Sequence, residues 1–105
     1  MARLRIDLTL TAGEESVWSF STGEVETDDA EALMEKLLSM ALPEKERMAE
    51  RAAMCGGRWT VCFAGYVHSG EMPAVYLGRR FISFCAEIHA AILYDIRIAA
   101  GYTDD

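Results

Sequence analysis

The stretch RLRIDLTL, residues 3–10, alternates strictly between polar and apolar side chains, and this alternation is the strongest structural signal in the chain. A period of two is typical of a β-strand that buries one face in a core. The buried face is predicted to carry Leu4, Ile6, Leu8 and Leu10. Residues 12–14 then resemble a turn, and residues 15–21 resemble a second strand that points Trp18 and Phe20 to one face. Together these segments predict a β-hairpin.

Two amphipathic helices are expected after the hairpin. Asp28 and Glu31 have the spacing of a capping box, and apolar side chains recur at helical spacing over residues 29–41. Pro43 cannot continue that helix and suits the start of another, which we predict over residues 43–54 and which a pair of glycines ends. Because the apolar face of the second helix is mostly alanine, we expect it to be less deeply buried than the first.

The second half of the chain mixes strand and helix patterns. Residues 58–68 predict a long strand with apolar side chains on both faces, which is typical of a central position in a sheet. A short extended piece is expected at residues 74–77, a helix at 79–90 and a closing strand at 91–99. The element order is therefore ββααββαβ, with the fourth strand short. This order indicates an α+β fold, with helices packed on one face of a mainly antiparallel sheet.

Length and composition set the class of protein. The 105 residues suit a single domain, 1–105, and residues 102–105 are predicted to form a mobile tail. The three cysteines lack a C-x-x-C pair, which argues against a disulfide framework and a zinc site. No run approaches the ~18 apolar residues that a membrane helix needs, and the N-terminus has no signal-peptide pattern. We therefore expect a cytoplasmic protein with no metal and no cofactor.

The net charge of −7 is distributed unevenly along the chain. Residues 6–35 contain nine of the 17 acidic residues and none of the ten basic ones, so this third carries −9 and the remainder carries +2. Such a surface disfavours nucleic acid and anionic membranes, because phosphates need Lys or Arg to displace their counterions. It would attract a basic protein surface.

Most of the acidic residues in this third are therefore candidates for contact with a protein partner. They are Glu14, Glu15, Glu24, Glu26, Asp28, Asp29, Glu31 and Glu35. The simpler alternative is that the acidic residues serve only solubility, since acid-rich surfaces are common in soluble proteins.

Several segments of the chain, with their spacing, resemble a known family. The segments are WSFSTG (18–23), EKLL (35–38), GEMPAVYL (70–77), FISFCAEI (81–88) and YDI (94–96). Over about residues 16–98 they resemble a bacterial family known as domain of unknown function 4279. The shared pattern consists of aromatic and aliphatic positions and contains no catalytic signature.

The resemblance implies a protein without an established enzymatic activity. Members of the family look similar in fold and size to small bacterial immunity-type proteins. The chain departs from the family pattern at its N-terminus, where a compact hairpin over residues 2–21 replaces a longer, proline-containing segment. It departs again in the last strand, where Asp95-Ile96-Arg97 stands in place of an Asp-hydrophobic-Tyr pattern.

Two constellations could support chemistry or ligand binding. Cys85 and His89 are four residues apart on the third predicted helix, the only local Cys–His pair with usable spacing. However, Cys85 lies on the apolar stripe of that helix, where a thiol usually serves as a small hydrophobe. Arg79 and Arg80 oppose the helix dipole at its N-terminus and could bind an anion there. The alternative that we favour is that these arginines pair with the acidic third of the chain.

These patterns lead us to expect a small acidic protein that is not an enzyme and that inhibits a protein with a basic surface. The inhibitor would be immunity- or antitoxin-like, and its target would be a toxin such as a nuclease. One alternative is a phage-type inhibitor of a bacterial defence complex, whose acids mimic nucleic acid. Another is a small-molecule-binding or enzymatic domain that uses Arg79, Arg80, Cys85 or His89. A homodimer also stays open.

Overall fold

A five-stranded sheet is built around the strand that the N-terminal alternation predicted. The computed structural model describes residues 2–27, 29–67 and 76–98. Strand β1 (Arg3–Ala12) pairs antiparallel with β2 (Glu15–Ser21), with the two-residue β3 (Val25–Glu26) and with β4 (Arg58–Val67). The order across the sheet is β2-β1-β4-β5, and β5 (Ala91–Ile98) runs parallel to β4. The predicted hairpin and the mainly antiparallel sheet are confirmed.

Helices cover one face of this sheet. Helix α1 (Ala30–Ala41) buries six side chains, and α3 (Arg79–Glu87) buries Phe81, Phe84 and Cys85. They pack against the even-numbered apolar residues of β1 and the odd-numbered ones of β4, of which Leu8 and Val61 are fully buried. Each such Leu, Val or Phe side chain contributes roughly 1.5–3 kcal/mol when it leaves water. The α+β fold with helices on one face is therefore confirmed.

Helix α2 (Lys45–Cys55) is the shallow one, as its alanine-rich face predicted. Its only buried residue is Met48. It begins two residues later than expected, because Pro43 lies in a single 3-10 turn, Leu42–Glu44, that connects it to α1. Gly56 ends α2 with φ of +67°, a left-handed conformation that glycine adopts without steric cost.

The cap of α1 differs by one residue from the prediction. The N-cap is Asp29, whose Oδ1 accepts a hydrogen bond of 3.1 Å from the backbone N–H of Ala32. The residue that we expected to cap the helix, Asp28, lies outside the described residues. The capping-box spacing to Glu31 favoured Asp28, but α1 begins at Ala30, so Asp29 is the residue that stands immediately before it.

The predicted elements require three corrections, two of them in the second half of the chain. Tyr76 and Leu77 are in no strand, and the rest of the short strand predicted at 74–77 lies outside the described residues. Helix α3 ends at Glu87 rather than at residue 90, because His89 adopts a left-handed conformation with φ of +56°. Strand β3 was missed, since two residues are too few to show a period.

The other face of the sheet is polar. It carries alternate residues of β1 and β4, such as Arg5, Thr9 and Thr60, and the charged pair Asp95 and Arg97 of β5. The tail predicted at residues 102–105 and the end of the strand predicted to reach His68 lie outside the described residues. None of the described helices is long and apolar enough to cross a membrane.

Candidate functional site

Six of the described acidic residues of the first third lie in two groups at opposite ends of β1, while Asp7 lies within β1 and Glu35 lies farther along α1. Glu14 lies in the hairpin turn, and Glu15 begins β2 opposite Ala12. Glu24 and Glu26 lie at the other end, where Glu26 faces Arg3 across the β1–β3 pair. Since β1 has ten residues and a strand rises about 3.3 Å per residue, roughly 30 Å separates the two groups. The −9 stretch therefore does not form one continuous patch.

The group beside Arg3 is the larger of the two, and we call Glu24, Glu26, Asp29 and Glu31 the acidic end. All four residues are exposed. Their backbone is held to the sheet, because the N–H of Thr27 donates a 2.8 Å hydrogen bond to the carbonyl of Ala2. Asp29 and Glu31 occupy the cap and first turn of α1, where negative charge is stabilised by the helix dipole. Asp28, between Glu26 and Asp29 in sequence, lies outside the described residues.

Basic side chains offset part of this charge. Arg3 Nη1 lies 3.9 Å from Glu24 Oε1, and Lys36 Nζ donates a 3.0 Å hydrogen bond to the carbonyl of Thr22 nearby. Farther along β1, Arg5 Nε pairs with Asp7 at 2.8 Å. The acidic end therefore presents four carboxylates against two nearby cations, which is a weaker field than the sequence count indicated.

The two arginines at the start of α3 are placed differently from one another. Arg80 forms an ion pair with Glu35 of α1, which is the pairing that we favoured for it over anion binding. This pair also removes Glu35 from the acids that are free to meet a partner. Arg79 is exposed, and none of the described residues forms an ion pair with it. The N-cap of α3 is Gly78, which has no side chain to cap the helix.

Cys85 and His89 do not form the helical pair that their spacing predicted. Cys85 is buried in the core, and burial raises the pKa of its thiol to about 11. His89 lies beyond the end of α3 and is exposed. Its N–H bonds the carbonyl of Ala86, while the N–H of Ala90 bonds that of Cys85, the two bonds that close a helix in a Schellman motif. The Cys85 thiol therefore has neither the lowered pKa nor the neighbouring base that a nucleophile needs.

The shifted pKa values of Arg97 and Cys62 have ordinary structural causes. Asp95 accepts a 2.9 Å hydrogen bond from Arg97 Nε, and this bond raises the pKa of Arg97. Burial, with Asp95 and Asp7 adding to it, raises the pKa of Cys62 on the polar face of the sheet. Within the ranges that the structure describes, no three His, Cys, Asp or Glu residues are grouped so as to hold a metal ion.

A groove of about 420 Å³ between α2 and the turn before β5 escaped the sequence reasoning. Its lining includes Ala49, Trp59, Arg58, Glu87 and His89. The Trp59 indole already donates to the Met48 carbonyl at 3.1 Å, and Glu87 is held by Lys45 at 2.8 Å. The alanine-rich face of α2 was the only sequence signal for this groove, because the groove depends on how two distant segments lie relative to each other.

Comparison with models of known protein families identifies a match. The model of the family described as Domain of unknown function (DUF4279) matches residues 5–99. The match begins within β1 and so includes the hairpin that we had set apart as atypical. No curated protein and no solved structure matches the chain significantly.

Proposed function

The chain belongs to the DUF4279 family, whose description names no activity, and we propose that this member is a non-enzymatic protein that binds and inhibits a basic partner. The interface would be the acidic end, Glu24, Glu26, Asp29 and Glu31. The inhibitor would be immunity- or antitoxin-like and would act in the bacterial cytoplasm, where it could be of host or phage origin.

The observation that carries this proposal is the fixed presentation of exposed carboxylates at one end of the sheet. The Thr27–Ala2 hydrogen bond holds the loop, and Asp29 is held by its capping bond to Ala32. A backbone that is already ordered loses little further freedom on binding, which reduces the entropic cost of association. A single-sign cluster also steers an oppositely charged partner and raises the association rate.

The state of the reactive groups supports a binding protein rather than an enzyme. A nucleophilic thiol needs a lowered pKa and a nearby base. Cys85 has a raised pKa, and His89 lies outside its helix. Arg80 is paired with Glu35, so among the residues of the enzymatic alternative only Arg79 and His89 are exposed and outside an ion pair in the described part of the chain.

The test compares two matched double variants as bait in a pull-down from the native host, followed by binding to the purified partner. Glu26→Gln/Glu31→Gln removes two exposed carboxylates from the acidic end. Glu46→Gln/Glu50→Gln removes two exposed carboxylates from α2 and serves as the control. We expect the acidic-end variant to bind its partner about tenfold more weakly and the control to match the wild type.

Salt and oligonucleotide distinguish the remaining possibilities. Wild-type affinity should fall as the salt concentration rises, since exposed charges are screened. Equal binding by both variants, or affinity that salt leaves unchanged, would contradict the acidic-end interface. Competition by an oligonucleotide for the same partner site would favour the defence-complex inhibitor over the inhibitor of a toxin.

A further inference from the structure

Strand β5 ends the sheet with an unused edge. Its inner edge pairs with β4 in unbroken parallel register, from Thr60 opposite Ala91 to Val67 opposite Ile98. Within residues 2–27, 29–67 and 76–98, no strand pairs with its outer edge. An edge strand presents a row of unpaired N–H and C=O groups that can pair with another strand.

Within the described residues, β5 itself lacks the proline and the bulge that often block such pairing. The strand contains no proline, and its ladder with β4 shows no bulge. Leu93 and Tyr94 are each 54% exposed, one on each face of the sheet. The only charges are Asp95 and Arg97, which neutralise each other through a 2.9 Å ion pair. The edge therefore carries no net charge that would repel a second strand.

We propose that β5 pairs antiparallel with β5 of a second copy of this chain, about a two-fold axis at Ile96. In that register Asp95 lies opposite the partner's Arg97, and Arg97 lies opposite the partner's Asp95. Directly opposed residues in an antiparallel pair have Cβ atoms about 4.5–5.5 Å apart, close enough for two cross-strand ion pairs. The interface is isologous, the commonest symmetry of soluble dimers.

The charge pattern selects both the occupant and the register. A shift of two residues places Asp95 opposite Asp95, or Arg97 opposite Arg97, and directly opposed like charges are destabilising. A shift of one residue places charged side chains opposite apolar ones from the other face. Only the register centred on Ile96 matches every charge with its opposite. A strand of another protein has no reason to carry this pattern, whereas a second copy carries it necessarily.

The first experiment measures the mass of the full chain by sedimentation equilibrium from low-micromolar to near-millimolar concentration. The mass should rise from the monomer value of 11.7 kDa toward twice that value. A chain that stays monomeric over the whole range overturns the proposal.

Charge exchange then identifies the strand and the register. Asp95→Arg and Arg97→Asp should each be monomeric alone, because each places like charges opposite one another. An equimolar mixture of the two should form heterodimers, and the double variant Asp95→Arg/Arg97→Asp should dimerise as the wild type does. Single variants that dimerise normally, or a double variant that stays monomeric, contradict the proposed register. Circular dichroism provides the folding control, since both side chains are exposed.

Discussion

The two edge strands of the sheet are held in different ways. At one edge, β2 is joined to β1 by a hairpin and packs in an aromatic cluster. At the other edge, β5 follows α3 in the chain and pairs with β4 in parallel. Trp18 and Phe20 of β2 lie 5.8 and 6.2 Å from the ring of Trp59. Ser19 and Ser21 of β2 point to the polar face of the sheet. The ladder with β1 is also interrupted, because the register shifts after Leu10 and leaves Val17 unmatched. These features leave β2 a poor template for further pairing.

The β5 edge shows the opposite arrangement. On the helix-covered face of the sheet, Tyr94 of β5 stacks on Phe63 of β4. Their ring centres lie 5.2 Å apart, and Tyr94 remains half exposed. Phe63 in turn lies 5.9 Å from Phe81 of α3, so this edge depends on the helix layer. Among the described residues neither outer edge is paired, so the two edges differ in regularity: β2 is interrupted by a register shift, whereas β5 is regular and carries no net charge.

The largest expected effect comes from separating the two halves of the sheet at Gly65. A Cβ added there would lie 2.1 Å from the carbonyl oxygen of Arg3 on the neighbouring strand. The substitution Gly65→Ala should therefore force β1 and β4 apart and cost about 3 kcal/mol or more of unfolding free energy. Urea unfolding, followed by circular dichroism, measures the loss.

The matched control for that substitution is Gly78→Ala, where an added Cβ meets no atom within 4 Å. Because Gly78 is the N-cap of α3 and alanine is a poorer N-cap than glycine, the substitution should cost no more than about 1 kcal/mol. Equal midpoints for the two variants would mean that β1 and β4 are not in close backbone contact at Gly65.

The next effect compares the aromatic anchors of the two edges directly. Trp18→Ala removes a half-buried ring that contacts both Phe20 and Trp59, and we expect a loss of about 2–3 kcal/mol. Tyr94→Ala removes a ring that is 54% exposed and should cost only about 1 kcal/mol. Thermal unfolding at low protein concentration keeps self-association out of the measurement. A loss for Tyr94→Ala as large as that for Trp18→Ala would contradict the proposed difference between the edges.

The sequence predicted an element well where its pattern depends only on residues that are close together in the chain. The alternation of β1 and the apolar stripe of α1 need only neighbours in sequence, so these elements were predicted with nearly correct bounds. The order β2-β1-β4-β5 depends on pairing between distant segments, which periodicity does not encode. For the same reason the acidic third looked like one field, although a whole strand separates Glu14 from Glu24. The end of α3 was misplaced because His89 occupies a position where glycine is the usual signal.

A smaller effect tests the helix layer beneath the β5 edge through the pH dependence of stability. Burial raises the pKa of Cys85 from 9.0 to about 11, so the folded protein holds the neutral thiol over a range in which the unfolded chain ionises. The stability that Cys85 contributes is therefore complete below pH 9 and declines as the pH rises toward 11. Cys85→Ala serves as the reference, since both proteins share every other titrating group. The stability gap between them should narrow above pH 9, and a gap that stays constant to pH 11 would contradict the buried thiol.

The smallest effect separates structure from charge at the acidic end, on the β3 side of the sheet. Asp29→Ala removes the cap of α1 and should cost about 1 kcal/mol, whereas Asp29→Asn keeps an oxygen that accepts from Ala32 and should cost far less. Both substitutions remove the same negative charge. If the acidic end binds a basic partner, both variants should weaken binding to a similar degree although only one is destabilised. Binding that weakens only in Asp29→Ala would assign the carboxylate a purely structural role, because asparagine would then replace it in full.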